Sequence, residues 1–392
     1  MIVCARLIVP APDLPPIPDG AIRVEGGRIT AIGPASRLFT ADPANEVVDY
    51  GEHVLIPGMV DSHNHLSLDC RIPSYLERMR DTDAELTLRA VNTLETDLRS
   101  GVTTSRCLGD RSFLDIAVRR AVEERRIRGP NLLVATRGMR AGHGHGFVGY
   151  PCDGPEPLRR FVRENIVAGA DLIKFYVTGT FPRNGTIPCY FTRVEIEVIV
   201  SEASRVGLPT AVHCIGGPGL ELCLGAGVTT IEHGYFISDR EIDLLADSES
   251  RLVVTPSEFL TDKPTLGAER AAAFRAAREQ VHERLAAVVR SGIFYAAGTD
   301  GMHGALAGEA KHLVDTGARP ADAFAAVTKN GASVCGLEHE IGTLETGKRA
   351  DIVVVEGNPL EDIEALSRVH AVIKGGEIVE GERTAPVGSA GP

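Results

Sequence analysis

Two histidines one residue apart, His63 and His65, close an apolar run that begins at Val54. On an extended backbone residues i and i+2 face the same side, so both imidazoles can reach one metal ion. A catalytic zinc normally has three or more protein ligands, so the pair needs partners from elsewhere; its plain alternative is two polar residues at a strand end. Candidate partners recur along the chain. His143 and His145 sit in a glycine-rich stretch beside Arg137 and Arg140, His213 ends another apolar run, His233 follows Glu232, and Asp300 stands in Gly-Thr-Asp-Gly.

Lys174 is the sharpest of these residues. It lies in Asp-Leu-Ile-Lys-Phe-Tyr-Val, which reads as a buried strand, where an unpartnered ammonium is costly and tends to lose its proton. The neutral amine can add carbon dioxide and become a carbamate, whose two oxygens can bridge two metals; pairing with Asp300 or Glu232 is the plain reading. Asp300 is placed to ligate a metal and to move a proton, because a carboxylate beside a divalent cation stays ionised near neutral pH, although Asp-Gly is also a common turn pair. Arg137, Tyr190 and His303 are weaker candidates for contact with a substrate. His53, His282, His312, His339 and His370 are expected to be structural or at the surface.

The elements put these residues in order. From residue 54, apolar strands alternate with amphipathic helices. Strands are expected at 54–60, 102–107, 131–136, 172–177, 209–213, 228–231, 252–255 and 293–297, with helices such as 83–100, 113–126 and 268–291 between them. Eight strands with helical crossovers predict an α/β chain built as a (β/α)8 TIM barrel. A doubly wound sheet would have fewer strands and usually a glycine-rich phosphate turn after the first. Active residues of such a barrel sit at the C-terminal strand ends, and His63, His65, His143, His145, His213, His233 and Asp300 all fall there. Short strands precede residue 54 and follow a last helix at 320–334, at 342–355 and 369–379. They predict that the two termini pair into one small β-sandwich domain, 1–56 with 341–392, leaving 57–340 to the barrel.

Composition narrows the function. Of 392 residues, 43% are hydrophobic and 24% charged, an ordinary soluble globular mixture. A net charge of −12 argues against a nucleic-acid surface. Eight scattered cysteines without a Cys-x-x-Cys pair read as reduced thiols, not as a disulfide framework or zinc knuckle. No stretch approaches ~18 uninterrupted apolar residues, and no basic segment followed by a long apolar run opens the chain. The expectation is a cytoplasmic protein with a small-molecule substrate, no nucleic-acid or membrane partner, and homo-oligomerisation left open.

Taken together, Val60-Asp61-Ser-His63-Asn-His65, Lys174, His213, Glu232-His233-Gly234, Gly298-Thr299-Asp300 and the tail Gly342-Thr-Leu-Glu-Thr-Gly-Lys-Arg-Ala-Asp351 resemble the amidohydrolase superfamily. The resemblance spans nearly the whole chain in the right order. Segments 137–146 and 226–234 are most similar to its imidazolonepropionase-related and Xaa-Pro dipeptidase (prolidase-like) branch. The resemblance implies that His63, His65 and Asp300 hold the more buried metal and that His213 and His233 hold a second. It further implies that Lys174, N-carboxylated, bridges both, with zinc as the default metal, and that His143 or His145 touches the substrate. Deaminating members carry a glutamate three residues after the strand-five histidine; Gly216 stands there.

The expected function is therefore metal-dependent hydrolysis of an amide-type C–N bond in a dipeptide, N-acyl amino acid or related amide. A hydroxide bridging the metals attacks the carbonyl carbon and Asp300 shuttles the proton. Cleavage of a carbamate, urea, lactone or other non-peptide substrate by the same centre is the alternative; deamination and a non-catalytic scaffold are less favoured, because all six ligand positions carry competent side chains.

Overall fold

The computed structural model describes residues 1–38, 46–146 and 148–381; the end of the expected terminal domain, 382–392, lies outside the described residues. Strands are numbered in chain order. The first five are β1 (Ile2–Ile8), β2 (Ile17–Glu25), β3 (Arg28–Pro34), β4 (Val47–Asp49) and β5 (Val54–Pro57). Next come β6 (Met59–Asn64), β7 (Val102–Cys107), β8 (Asn131–Val134), β9 (Met139–Arg140), β10 (Tyr150–Pro151) and β11 (Ile173–Tyr176). Then follow β12 (Thr210–Cys214), β13 (Thr230–His233), β14 (Arg251–Val254), β15 (Tyr295–Ala297), β16 (Ile352–Val355), β17 (Val369–Lys374) and β18 (Glu377–Glu380).

Strands from the two ends of the chain share one sheet, ordered β18-β17-β16-β5-β1-β2-β3 with β4 on β1. β5 and β16 join the halves, antiparallel, with Val54 opposite Val355 and Leu55 opposite Val354. Their side chains alternate between two cores. Leu55, Ile352 and Val354 pack with Val3, Ile22 and Ile373, whereas Val54, Ile56, Val353 and Val355 face the large core beneath the parallel strands. Burial of both faces explains why these segments read as unbroken apolar runs.

The remaining parallel strands form two sheets, β6-β7-β8 and β10-β9-β11-β12-β13-β14-β15, with helices along the connections, so the chain is α/β. The strand ladder is not one continuous ring. A backbone hydrogen bond crosses each gap: Asp171 N donates to Val134 O (2.9 Å) beside β8, and Asp300 N to His63 O (2.8 Å) beyond β15. Helices Asp83–Arg99, Arg193–Ser204 and Asp239–Ala246 begin with reciprocal capping boxes, Thr82/Glu85, Thr192/Glu195 and Ser238/Glu241, which satisfy otherwise unpaired amide donors. Among the described residues no helix is long and apolar enough to cross a membrane.

Three expected elements differ. The run 54–60 is two strands, broken at Gly58, whose N–H donates to Asp351 O at 2.9 Å as the chain leaves one sheet for another. The last helix, 320–334, divides into Pro320–Ala326 and Lys329–Val334, because the Val327 carbonyl accepts from Val60 N of β6 at 2.8 Å. The segment 342–355 is a strand only over β16; Gly342 and Gly347 have positive φ, 88° and 95°, which ends extended pairing.

Candidate metal centre

Strand ends converge on one point. β6 delivers His63 and His65, and the turn after β15 delivers Asp300, whose Oδ1 lies 3.3 Å from Nε2 of each histidine. β13 adds His233, its ring 4.6 Å from that of His63, and donor atoms of His63, His233 and Asp300 all lie within 4.8 Å of one another. His213, from β12, sets its ring edge to face with that of His233, centroids 4.5 Å apart. Lys174, on β11, is completely buried, and its Nζ has no hydrogen-bond partner.

The backbone is shaped to bring these groups together. His233 and Asp300 adopt positive φ, 80° and 50°, conformations that cluster at functional sites. Gly298 allows the end of β15 to approach β6: a Cβ there would stand 2.3 Å from the backbone nitrogen of His63. Asp61 ties the two strands, accepting from Thr299 N (3.1 Å), Thr299 Oγ1 (2.7 Å) and His63 N (3.1 Å). Burial and the nearby Asp97 push its carboxyl up to about 7.

The outer partners of the imidazoles orient them. Nδ1 of His63 donates to Glu232 Oε2 at 2.8 Å, and Nδ1 of His65 to the Gly109 carbonyl at 2.6 Å. Nδ1 of His233 bonds Thr255 Oγ1 at 2.8 Å. A proton on Nδ1 leaves the Nε2 lone pair directed inward. Nε2 of His63 is buried and makes no hydrogen bond of acceptable geometry, although a carboxylate oxygen faces it at 3.3 Å. Lone pairs and a carboxylate oxygen aimed at one point repel unless a cation lies between them. This donor set fits a divalent metal ion.

Electrostatics agree. Burial drives His213 and His233 well below the ordinary histidine range, helped by their neighbouring imidazoles, so both are neutral donors. Burial also brings Lys174 down to about 8. Burial works against ionisation of Glu232, but Arg106, with Nη2 2.8 Å from Oε1, and His63 hold it at about 2. Asp300 likewise stays well below the carboxylate range despite burial, held there by His63, His65 and His233.

Two connected cavities open over the centre. The inner one, about 80 Å³, is lined by His63, His65, His145, His213, His233 and Asp300 with Tyr176 and Tyr235; the outer one is about 830 Å³. His145 reaches both, its ring 4.6 Å from that of His213. His143 and Tyr190 line the outer cavity only, edge to face at 5.5 Å. Burial lowers His145 to about 4.

Two sequence candidates lie elsewhere. The Arg137 guanidinium is 4.3 Å from both the Phe113 and Phe161 rings and pairs with Glu164 at 2.8 Å, away from both cavities. His303 is buried with Nδ1 on Asp97 (2.8 Å) and Nε2 on Leu68 O (3.0 Å), so it serves packing and not the cavity mouth. The sequence reading also missed residues. Arg106 supports both Glu232 and the Ser62 carbonyl, and its position in the buried strand β7 is the same oddity that marked Lys174. Glu258, in a short helix after β14, lines the inner cavity and pairs with buried Lys263; no local pattern singled it out.

A sequence profile described as the amidohydrolase family matches residues 54–379. The ochratoxinase of Aspergillus niger is 27% identical over 426 residues, covering 99% of this chain and 88% of that protein. An imidazolonepropionase of Symbiobacterium thermophilum is 28% identical over 387 residues, covering 86% and 84%. The crystal structure of a Xaa-Pro dipeptidase with methionine bound in its active site superposes with a TM-score of 0.85 at 26% identity, covering 97% of this chain and 99% of that one.

Proposed function

The chain belongs to the amidohydrolase family, and from that premise we propose that it is a metal-dependent hydrolase of an amide-type C–N bond in dipeptides, N-acyl amino acids or related amides. The observation that carries the proposal is the inward convergence of the Nε2 atoms of His63 and His65 on Asp300 Oδ1, each at 3.3 Å, together with a buried Lys174 whose Nζ makes no hydrogen bond. Likeness to a Xaa-Pro dipeptidase supports the choice of a dipeptide-like amide. In this reading β6, β7, β8 and β11–β15 form the wall of a (β/α)8 barrel within 57–340, and the described parts of segments 1–56 and 341–392, which share one sheet, form the smaller β domain.

His63, His65 and Asp300 would hold one divalent ion, by default zinc, and His213 with His233 a second. The neutral fraction of Lys174 attacks carbon dioxide at carbon and releases a proton, giving an N-carboxylate able to bridge both. Such ions supply Lewis acidity toward a carbonyl oxygen and make water acidic near neutral pH. Asp300, ionised and partly solvent-accessible, accepts the proton of the attacking water and returns it to the leaving nitrogen. Glu232 and Arg106 keep His63 in the tautomer that presents Nε2. His145, at the junction of the two cavities, contacts the substrate carbonyl or carboxylate, with His143 and Tyr190 farther out.

The test is release of free amine from a panel of dipeptides and N-acyl amino acids by zinc-loaded protein. Asp300→Asn should lower kcat by about 10²–10⁴-fold while much of the bound metal remains. Unchanged turnover in that variant would remove Asp300 from proton transfer.

A further inference from the structure

The outer cavity concentrates positive charge in a chain whose net charge is −12. Among its described lining residues are Arg80, Arg111, Arg140, Arg183 and Arg270, against a single carboxylate, Glu269. The arginines come from five separate segments. Arg80 follows β6, Arg111 follows β7, Arg140 lies in β9, Arg183 follows β11, and Arg270 is in the helix Ala268–Ser291. Separate loops delivering one side-chain type to one cavity are unlike a solvated helix face, where charges follow a local repeat.

Four of these guanidiniums carry no paired carboxylate. Among the described residues, Arg80, Arg111, Arg140 and Arg183 form no salt bridge. Arg111 donates from Nη1 to the Met79 carbonyl at 3.1 Å, and Arg140 to the Ala141 and Gly142 carbonyls at 3.1 Å each. Backbone carbonyls thus fix Arg111 and Arg140 and leave their charge. Arg270 lines the inner cavity as well, where the carboxylates Glu258 and Asp300 also stand, so the positive charge belongs to the outer cavity.

We propose that this cavity recognises an oxyanion beyond the single carboxylate of a simple amino-acid amide, so that preferred substrates are dipeptides or N-acyl amino acids with an acidic side chain or acyl group. Guanidinium forks match carboxylate geometry, and a cavity lined by one sign of charge raises the local concentration of an oppositely charged substrate. One α-carboxylate would answer one arginine and leave an excess; a dicarboxylate answers two from different loops. The inference rests on the amide-hydrolase reading and adds the substrate class to it.

Two measurements separate the claims. With zinc-loaded protein, kcat/KM is compared for dipeptide pairs that differ only by Glu against Gln at either position. The acidic member of one pair should be favoured about tenfold or more, mostly through KM, as expected for a charge-assisted hydrogen bond. The preference should shrink at high salt, and Arg80→Gln/Arg183→Gln should bring the acidic member toward its neutral partner. Equal cleavage within every pair would overturn the inference and leave the amide-hydrolase reading standing. Calorimetry of metal-free protein with glutarate and glutaramate tests the cavity without turnover. Glutarate should bind about tenfold tighter and lose that advantage in the double variant; equal binding would overturn the inference even in a protein that cleaves no amide.

Discussion

Lys174→Met should make the metal-free protein more stable, although it removes a group assigned to the active centre. Nζ of Lys174 is buried without a hydrogen-bond partner, and burial lowers its pKa from 10.5 to about 8. That difference corresponds to about 3 kcal/mol of unfavourable ammonium burial. Between pH 8 and 10.5 the unfolded chain binds more protons at this site than the folded one, so stability rises with pH across the window. The cost is fully present below about pH 8 and absent above 10.5, where both states are neutral. Methionine has a similar length and no charge, so its extra apolar burial contributes a pH-independent part. Denaturant unfolding of chelator-treated protein should therefore show the variant ahead by about 3 kcal/mol or more at pH 7, with the gap narrowing by about that amount toward pH 11. The variant should also fail to bind a full metal complement. A gap that does not change between pH 7 and 11 would refute the reasoning, because a neutral or well-paired Lys174 carries no such cost.

Two further perturbations probe the scaffold. Gly298→Ala places a Cβ 2.3 Å from the backbone nitrogen of His63; separation of β15 from β6 should cost about 1–3 kcal/mol and weaken metal retention, read by thermal unfolding and metal analysis, and full retention of both would contradict the close approach. Glu232 stays ionised to about pH 2 in the folded protein but takes up a proton near 4.5 when unfolded, so its contribution is present above about pH 4.5 and lost as pH falls toward 2. Glu232→Gln should flatten that acid limb and, by stranding buried Arg106, cost about 3 kcal/mol at pH 7; an unaltered acid profile would dismiss the pairing.

The parts of this molecule that obey local rules were legible in the sequence. His63 and His65 share a face through the period of a strand, and Lys174 stands out because a cation interrupts an apolar strand. The order of strands and helices also follows periodicity, down to the helix Ala268–Ser291. What escaped is non-local. The run 54–60 is apolar throughout, so nothing in it marks Gly58 as the point where the chain changes sheets. Arg137 sits in a glycine-rich loop with two histidines and reads as a substrate contact, yet Phe113 and Phe161 from other segments draw it aside. His303, three residues past Asp300, is captured by Asp97 from a distant helix. The support of His63 by Glu232 and Arg106 spans three strands, and the arginine-lined cavity gathers residues from five segments; neither leaves a pattern in any single window.

The most direct test of the central claim is a titration of chelator-stripped protein with zinc in bicarbonate-containing buffer, following bound metal and amide hydrolysis together. A bridged pair of ions requires no hydrolysis without metal, activity rising with bound zinc, and a plateau near two equivalents per chain that Lys174→Ala does not reach. Hydrolysis by demonstrably metal-free protein would contradict it outright, and full activity at one equivalent, unchanged in Lys174→Ala, would contradict the bridged pair.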